Sequence, residues 1–370
     1  MAERRALEDL VSDAFWSGRR VFLTGHTGFK GSWLALWLAR MGAKVTGFAL
    51  PAEDPSLFDM ASVADLVTHI EGDIRDLGAV ESAMAQCDPE VVFHLAAQPL
   101  VRESYVTPVE TFATNVQGTV HVLDACRRRP SLKAIVCVTS DKCYENNEWV
   151  WPYREADPMG GHDPYSASKG AAELVIAAYR RSFFTEGQGP LLASVRAGNV
   201  IGGGDWAKDR LIPDIVRALI AGEAPLIRSP KSVRPWQHVL EALGGYLLIA
   251  GRLVQGCEWA ATAWNFGPAD SDVQPVDWIA DRLTAQWGAA GWVRGTQAGP
   301  HEANILKLDC AKARSLLGWR PAMNLQDTLA MIVDWHRPVA EGADPQKITY
   351  SQLDEYRYRF HSALAGASIE

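Results

Sequence analysis

Six cysteines in 370 residues, at 87, 126, 137, 143, 257 and 310, are too few and too scattered for a disulfide framework, and no C-x-x-C pair is present to hold zinc. A reducing compartment is expected, and no metal site. Positive charge is also not in excess: 36 Lys and Arg stand against 44 Asp and Glu, a net charge of -8. That removes the basic footprint that nucleic acid or an anionic membrane requires. No apolar run reaches the ~18 residues of a membrane span. The charged opening, residues 1 to 10, has no apolar stretch of the signal-peptide kind, so a cytoplasmic location is expected. Internal repeats and low-complexity segments are lacking as well.

What remains is an ordinary globular composition, 48% apolar and 22% charged, in a chain long enough for one large domain with a lobe, or for two domains. The fourteen tryptophans are expected mostly in the core. Val21-Phe-Leu-Thr-Gly-His-Thr-Gly-Phe-Lys-Gly31 is a short apolar strand, a turn with glycines at 25, 28 and 31, and the start of a helix. Gly25, Gly28 and Gly31 there let backbone approach a pyrophosphate, and the helix N-terminus offers it free N–H donors. Strands are expected at 44–50, 67–71, 90–97, 132–139 and 191–197, alternating with helices, the pattern of a doubly wound parallel sheet. Residues 1–17 read as a short helix packed on the outside, 107–128 as a long helix, and 164–186 as another. Domain limits follow: 1–190 with 234–268 returning to it, and a smaller substrate-binding lobe from 191–233 and 269–370.

Two points stay open in the nucleotide half. The acid expected to hold the adenosine ribose about 20 residues past the glycines is missing, because Leu50 and Pro51 stand there and Glu53 and Asp54 come late. Asp73 either bonds the adenine amino group or caps the following helix. Small residues at the tip of 90–97 allow a ring to lie close, and His94 within that run reads as a core histidine.

The fifth strand delivers Ser140, Asp141 and Lys142 to the C-terminal edge of the sheet, where ligands of open α/β sheets bind. Tyr165 and Lys169 are four residues apart on one helical face. A cation one turn away, with a positively charged nicotinamide, favours the phenolate and makes Tyr165 a base toward an alcohol, with Ser140 sharing the same hydroxyl.

These motifs resemble the extended short-chain dehydrogenases/reductases, and within them the nucleotide-sugar 4,6-dehydratases. The resemblance lies in Thr24-Gly-His-Thr-Gly-Phe-Lys-Gly31, His94-Leu-Ala-Ala97, Asn115-Val-Gln-Gly-Thr119, Thr139-Ser-Asp-Lys142, Tyr165-Ser-Ala-Ser-Lys169 and Arg196-Ala-Gly-Asn199. It extends through Arg234-Pro-Trp-Gln-His-Val239 and covers about residues 15 to 335. Thr139-Ser-Asp-Lys-Cys-Tyr-Glu145 and Gly202-Gly-Gly-Asp-Trp206 are similar to the branch acting on CDP-glucose.

The resemblance implies a Rossmann fold, NAD as cofactor, and an internal redox cycle that dehydrates the sugar, with a homodimer formed through 107–128 and 164–186. Thr27, Phe29, Lys30, Asp73, Ile74, Leu95, Ala96, Ala97 and Asn115 join the glycines, Tyr165 and Lys169 around the cofactor. Lys30 is a candidate for the adenosine end, or a simple first-turn lysine. Asp141 is implied as the acid and Lys142 as the base of the elimination. Asn199 and Arg234 are implied at the substrate pyrophosphate, Gln98 and Asp205 elsewhere on the substrate; Arg102 and Arg210 meet phosphate or are solvated helix ends. A 4-epimerase sharing the Tyr/Lys/NAD parts, a dehydratase for another sugar nucleotide, and a dinucleotide-binding regulator without turnover are the alternatives.

Overall fold

A computed structural model describes residues 6–185, 187, 189–295 and 306–366. Its strands in chain order are β1 (Arg20–Thr24), β2 (Lys44–Ala49), β3 (Thr68–Glu71), β4 (Val91–His94), β5 (Ala134–Val138), β6 (Leu191–Ala197), β7 (Asn199–Ile201), β8 (Leu226–Ile227), β9 (Val233–His238), β10 (Ala263–Phe266), β11 (Val273–Pro275) and β12 (Val293–Arg294). Seven of them form one sheet in the order β10-β6-β5-β4-β1-β2-β3. Every neighbouring pair runs parallel. Strand order reverses between β1 and β4, which opens a ligand crevice at their C-terminal ends.

Period-2 alternation makes the inner strands apolar throughout and gives the protein two cores. Val21, Leu23, Val91, Phe93, Ala134 and Val136 face the layer holding the helices Phe29–Arg40 and Val239–Val254. Phe22, Val92 and Ile135 face the opposite layer, with Val80, Val122 and Ile176 of the helices Leu77–Cys87, Gly118–Cys126 and Pro164–Ser182. A sheet covered on both faces needs strands apolar on both faces. A third core joins Ile212, Ile215, Val216 and Leu219 to Ile279, Leu283, Leu329 and Ile332, and this is the lobe. The spacing of the first four residues is that of one helical stripe.

The domain limits differ from those expected. β6 pairs with β5 and β10 inside the central sheet, so a boundary after residue 190 falls one strand early. β9 belongs to the small sheet β11-β9-β7, and only the helix Val239–Val254 and β10 return to the large one. The helix Pro345–Ala365, assigned above to the lobe, buries Tyr356, Phe360 and Leu364 in the core of the nucleotide-binding half. The N-terminal segment is not an outside helix. Its turns Glu8–Val11 and Asp13–Trp16 bury Leu10, Val11 and Trp16 completely, and the Trp16 indole donates to the Leu10 carbonyl at 2.8 Å.

The helix expected over 107–128 is interrupted by a π turn at Ala113–Gln117, between Pro108–Phe112 and Gly118–Cys126. The helix Pro164–Ser182 ends before 186, a residue outside those described. Among the described residues no helix is long and apolar enough to cross a membrane.

Candidate active site

β1 ends at Thr24, whose hydroxyl accepts the amides of Leu95 (3.1 Å) and Ala96 (3.2 Å) from the tip after β4. Gly25 follows at φ +76°, and a Cβ there would stand 2.7 Å from the Ala96 nitrogen. A Cβ at Gly31 would stand 2.0 Å from the Gly25 carbonyl oxygen. These two glycines let turn, helix and β4 tip close on one another. The helix Phe29–Arg40 starts at Gly28 with no side-chain cap and no acid in its first turn. Its N–H groups therefore suit an anion, and the turn fits the pyrophosphate of a dinucleotide.

Several expected cofactor contacts are engaged within the protein. The Thr27 hydroxyl donates to the Leu50 carbonyl at 2.9 Å, pinning the turn to the end of β2. The Asp73 carboxylate accepts the Arg75 guanidinium and backbone amide, and these bonds hold it below the usual carboxylate range. It does not cap the next helix; Asp76 does, accepting from the Ala79 amide at 3.0 Å. Ile74 is buried against Gly118. Asn115, in the π turn, accepts the Gln98 amide (2.8 Å) and donates to the Gln98 carbonyl (3.1 Å) and the Ser168 hydroxyl (2.8 Å). π turns of this kind recur at functional sites. Ala97 is half-buried at the same tip.

Lys30 differs from its expected place. Its ammonium donates to the Tyr246 hydroxyl at 3.4 Å, and burial, then the nearby Arg210 and Lys169 cations, push it down to about 7, while Asp141 opposes the shift. It stands among Tyr246, Arg210, Lys169 and Asp141.

At that end, Ser140 caps the turn Asp141–Cys143: its hydroxyl accepts the Lys142 amide (3.2 Å) and donates to Asp141 Oδ1 (3.0 Å). Tyr165 enters the helix Pro164–Ser182 at its first turn, behind the Asp163 cap, with its amide donating to Ser104 Oγ at 3.1 Å. Burial pushes the phenol up to about 12, and its hydrogen bond with Ser140 works the other way. Burial pushes Lys169 down to about 8. The Asp141 carboxyl is raised, chiefly by burial, with Lys142, Ser140 and Arg234 opposing. So Ser140, Asp141, Tyr165 and Lys169 are brought together, with Lys142 half-buried beside them.

Of the substrate candidates, Arg234 lies on β9, buried and close enough to act on Asp141. Asn199 is opposite Trp236 across the β7–β9 pair. Asp205 is buried and bound to Arg210 at 3.1 Å, and Arg210 acts in turn on Tyr165 and Lys30. Arg210 thus stands with Tyr165 and Lys30 and is not a solvated helix end. Arg102 pairs with Asp209 at 3.3 Å. The Gln98 side chain serves the loop, donating to Thr111 Oγ1 (2.9 Å) and accepting the Leu100 amide. His94 is the core histidine expected, between Thr24 Oγ1 (2.8 Å) and Thr119 Oγ1 (3.1 Å).

Sequence reasoning missed Glu173, Tyr246 and Gly198. Glu173 had a readable signal, one more turn along the face of Tyr165 and Lys169. Gly198 had none: a Cβ there would stand 2.7 Å from Pro235 Cγ and 3.2 Å from Asp141 Oδ2, a closeness only the fold creates.

Residues 21–259 match the NAD dependent epimerase/dehydratase family. The chain belongs to that family. Within this epimerase/dehydratase family it is 53% identical to CDP-glucose 4,6-dehydratase of Salmonella typhimurium, over 94% of this chain and 98% of that protein. It is 30% identical to dTDP-glucose 4,6-dehydratase of Streptomyces antibioticus, over 76% and 79% of the two chains. The fold is shared with dTDP-glucose 4,6-dehydratase of Bacillus anthracis, solved in complex with NAD: TM-score 0.75, 20% identity, covering 89% of this chain and all of that one. The doubly wound sheet and lobe of the epimerase/dehydratase family are thereby borne out.

Proposed function

We infer that the protein is a hydro-lyase that converts CDP-D-glucose to CDP-4-dehydro-6-deoxy-D-glucose and water, with NAD as cofactor. The observation that carries this reading is the 53% identity to a CDP-glucose 4,6-dehydratase across nearly its whole length, Asp141 and Lys142 lying beside Tyr165 and Lys169. A 4-epimerase has no use for an acid and a base at C5 and C6.

The crevice over Gly25 to Gly31 would hold NAD, whose oxidised form would take two electrons from C4 and whose reduced form would return them at C6. Tyr165 Oη takes the C4 hydroxyl proton, with Ser140 Oγ hydrogen-bonded to the same oxygen. Lys169, as an ammonium, favours the phenolate. The C4 carbonyl makes the C5 hydrogen acidic, and Lys142 Nζ removes it. Asp141, whose carboxyl burial raises, gives a proton to the C6 hydroxyl, which leaves as water. Lys142 then returns a proton to C5. Arg234 and Asn199 are the proposed grip on the nucleotide pyrophosphate, and Arg210, held by Asp205, a third cation toward it.

Val106, Val109, Phe112 and Leu174 expose apolar side chains on the packed helices 101–112 and 164–182. We propose that a second copy of the chain covers them, forming a homodimer. The six free cysteines support a reducing, cytoplasmic setting.

The test is incubation with CDP-glucose in deuterium oxide. A 4-keto-6-deoxy product carrying deuterium at C5 is expected. A C4 epimer without label, or no product from CDP-glucose, overturns the reading.

A further inference from the structure

Tyr165, Lys169 and Glu173 stand at i, i+4 and i+8 on the helix Pro164–Ser182, one face of successive turns. Glu173 is 5% exposed. Its carboxylate accepts Thr139 Oγ1, Ser194 Oγ (2.8 Å), and Arg196 Nε (2.9 Å) and Nη2 (2.7 Å). The remaining Arg196 nitrogen donates to Tyr144 Oη (2.7 Å) and the Glu155 carbonyl (3.1 Å). Tyr144 Oη donates to Asn265 Oδ1 at 2.7 Å. One carboxylate therefore gathers the ends of β5 and β6 directly and the end of β10 through two side chains. Thr139 is the residue before Ser140. Replacing a buried ion pair by apolar groups is often neutral or stabilising, so stability alone does not account for this one.

Lys169 is faced by Cys137 of β5, Cys143 of the catalytic turn, His94 of β4, Lys30 of the first helix and Glu173 of its own. Burial raises both thiols, so they are uncharged at neutral pH. Burial keeps His94 neutral as well. Burial also works to raise Glu173, but Arg196 outweighs it and holds the carboxyl ionised. Glu173 is therefore the one anion against Lys169 among these groups.

We propose that Glu173 is a positioning residue of the acid–base site: it ties the Thr139–Lys142 turn to the helix carrying Tyr165 and Lys169, and it holds Lys169 in its ammonium form. The idea rests on the reading of Tyr165 and Lys169 as an acid–base pair.

Its test uses the protein without cofactor or substrate as well as turnover. With ¹³C-labelled lysine, the Lys169 resonance, assigned through Lys169→Arg, is titrated by NMR in the native chain and in Glu173→Gln. The Lys169 midpoint should fall by about one unit, a tenfold fall in the ratio of ammonium to amine at a given pH. Turnover of CDP-glucose should fail at correspondingly lower pH in the variant, with kcat reduced about fivefold at pH 8 and KM little changed. Glu173→Asp should restore the midpoint.

Thr139→Val, which keeps every charge, should lower kcat and leave the midpoint in place. An unmoved midpoint in folded Glu173→Gln overturns the proposal. If that variant does not fold because Arg196 is stranded, Glu173→Gln combined with Arg196→Met is titrated instead, under the same criterion. A shifted midpoint in a protein that does not turn over CDP-glucose would retain the Glu173 assignment and remove the substrate reading.

Discussion

Tyr165 sits where burial favours the neutral phenol, up to about 12, so the base role proposed for it depends on charges brought to it. Lys169 is one such charge, and it is itself weakened by burial, to about 8. Tyr165→Phe keeps the ring and its packing while removing the hydroxyl, so kcat should fall about 10²-fold or more with the melting temperature little changed. Lys142→Met should act later in the reaction: a 4-keto sugar should form that retains its C6 hydroxyl and takes up no deuterium at C5. Normal turnover by Lys142→Met, followed by product mass, would remove Lys142 from the mechanism. The Tyr165–Lys169 spacing was legible because a helix puts i and i+4 on one face whatever surrounds it. The direction of Lys30 was not legible, because Tyr246 lies 216 residues further on.

The elements converge on the loop 202–206. A Cβ at Gly203 would stand 2.1 Å from Trp335 Cγ, and the Trp33 indole donates to the Gly203 carbonyl at 3.0 Å. Trp33 lies one turn into the helix that opens the dinucleotide turn, so that helix also braces the loop carrying Asp205 toward Arg210. The same helix meets β1 through Gly31. Gly31→Ala drives a methyl into the Gly25 carbonyl, which is backbone and has nowhere to move. A loss on the order of 3 kcal/mol or more is expected in denaturant unfolding, with dinucleotide binding lost in whatever folds. An unchanged midpoint would mean that the turn can reopen. By contrast, the π turn at Ala113–Gln117 left no mark in the helical periodicity.

At the scale of the whole molecule, buried histidines set the acid limit. His94, His238 and His336 are each lowered to about 3 and His26 to about 4, burial being the first cause in every case. The unfolded chain takes up these protons near 6.5 and the folded one does not. Their contribution is therefore present above about pH 6.5 and is lost as pH falls toward the folded values, each by up to ~1.4 kcal/mol per pH unit. Glu241 runs the other way. Burial raises it to about 7, so between about 4.5 and 7 the folded state holds a proton that the unfolded state has lost. Asp141, also raised, runs with Glu241, while the low carboxyls of Asp73 and Glu173 run with the four histidines, and Tm should fall steeply from pH 6.5 to 4. A flat Tm over that range in calorimetry would contradict the burial of these rings. Glu241 also ties together three segments of the larger core, accepting the Ala322 (2.9 Å) and Met323 (2.7 Å) amides and the Tyr356 hydroxyl (3.1 Å).

Apolar strands, the glycine turn and the four-residue step from Tyr165 to Lys169 are set by local chain geometry, which is why sequence alone determined the sheet, the turn after its first strand and the helical face that Tyr165 and Lys169 share. Which side chains complete the site was decided by tertiary packing. Tyr246 under Lys30, Asp205 on Arg210, Gly198 against Asp141 and Glu173 gathering three strand ends all depend on chain segments that meet only after the sheet has ordered them. Burial, which shifts Tyr165, Lys169 and Asp141 together, exists only in that assembled crevice.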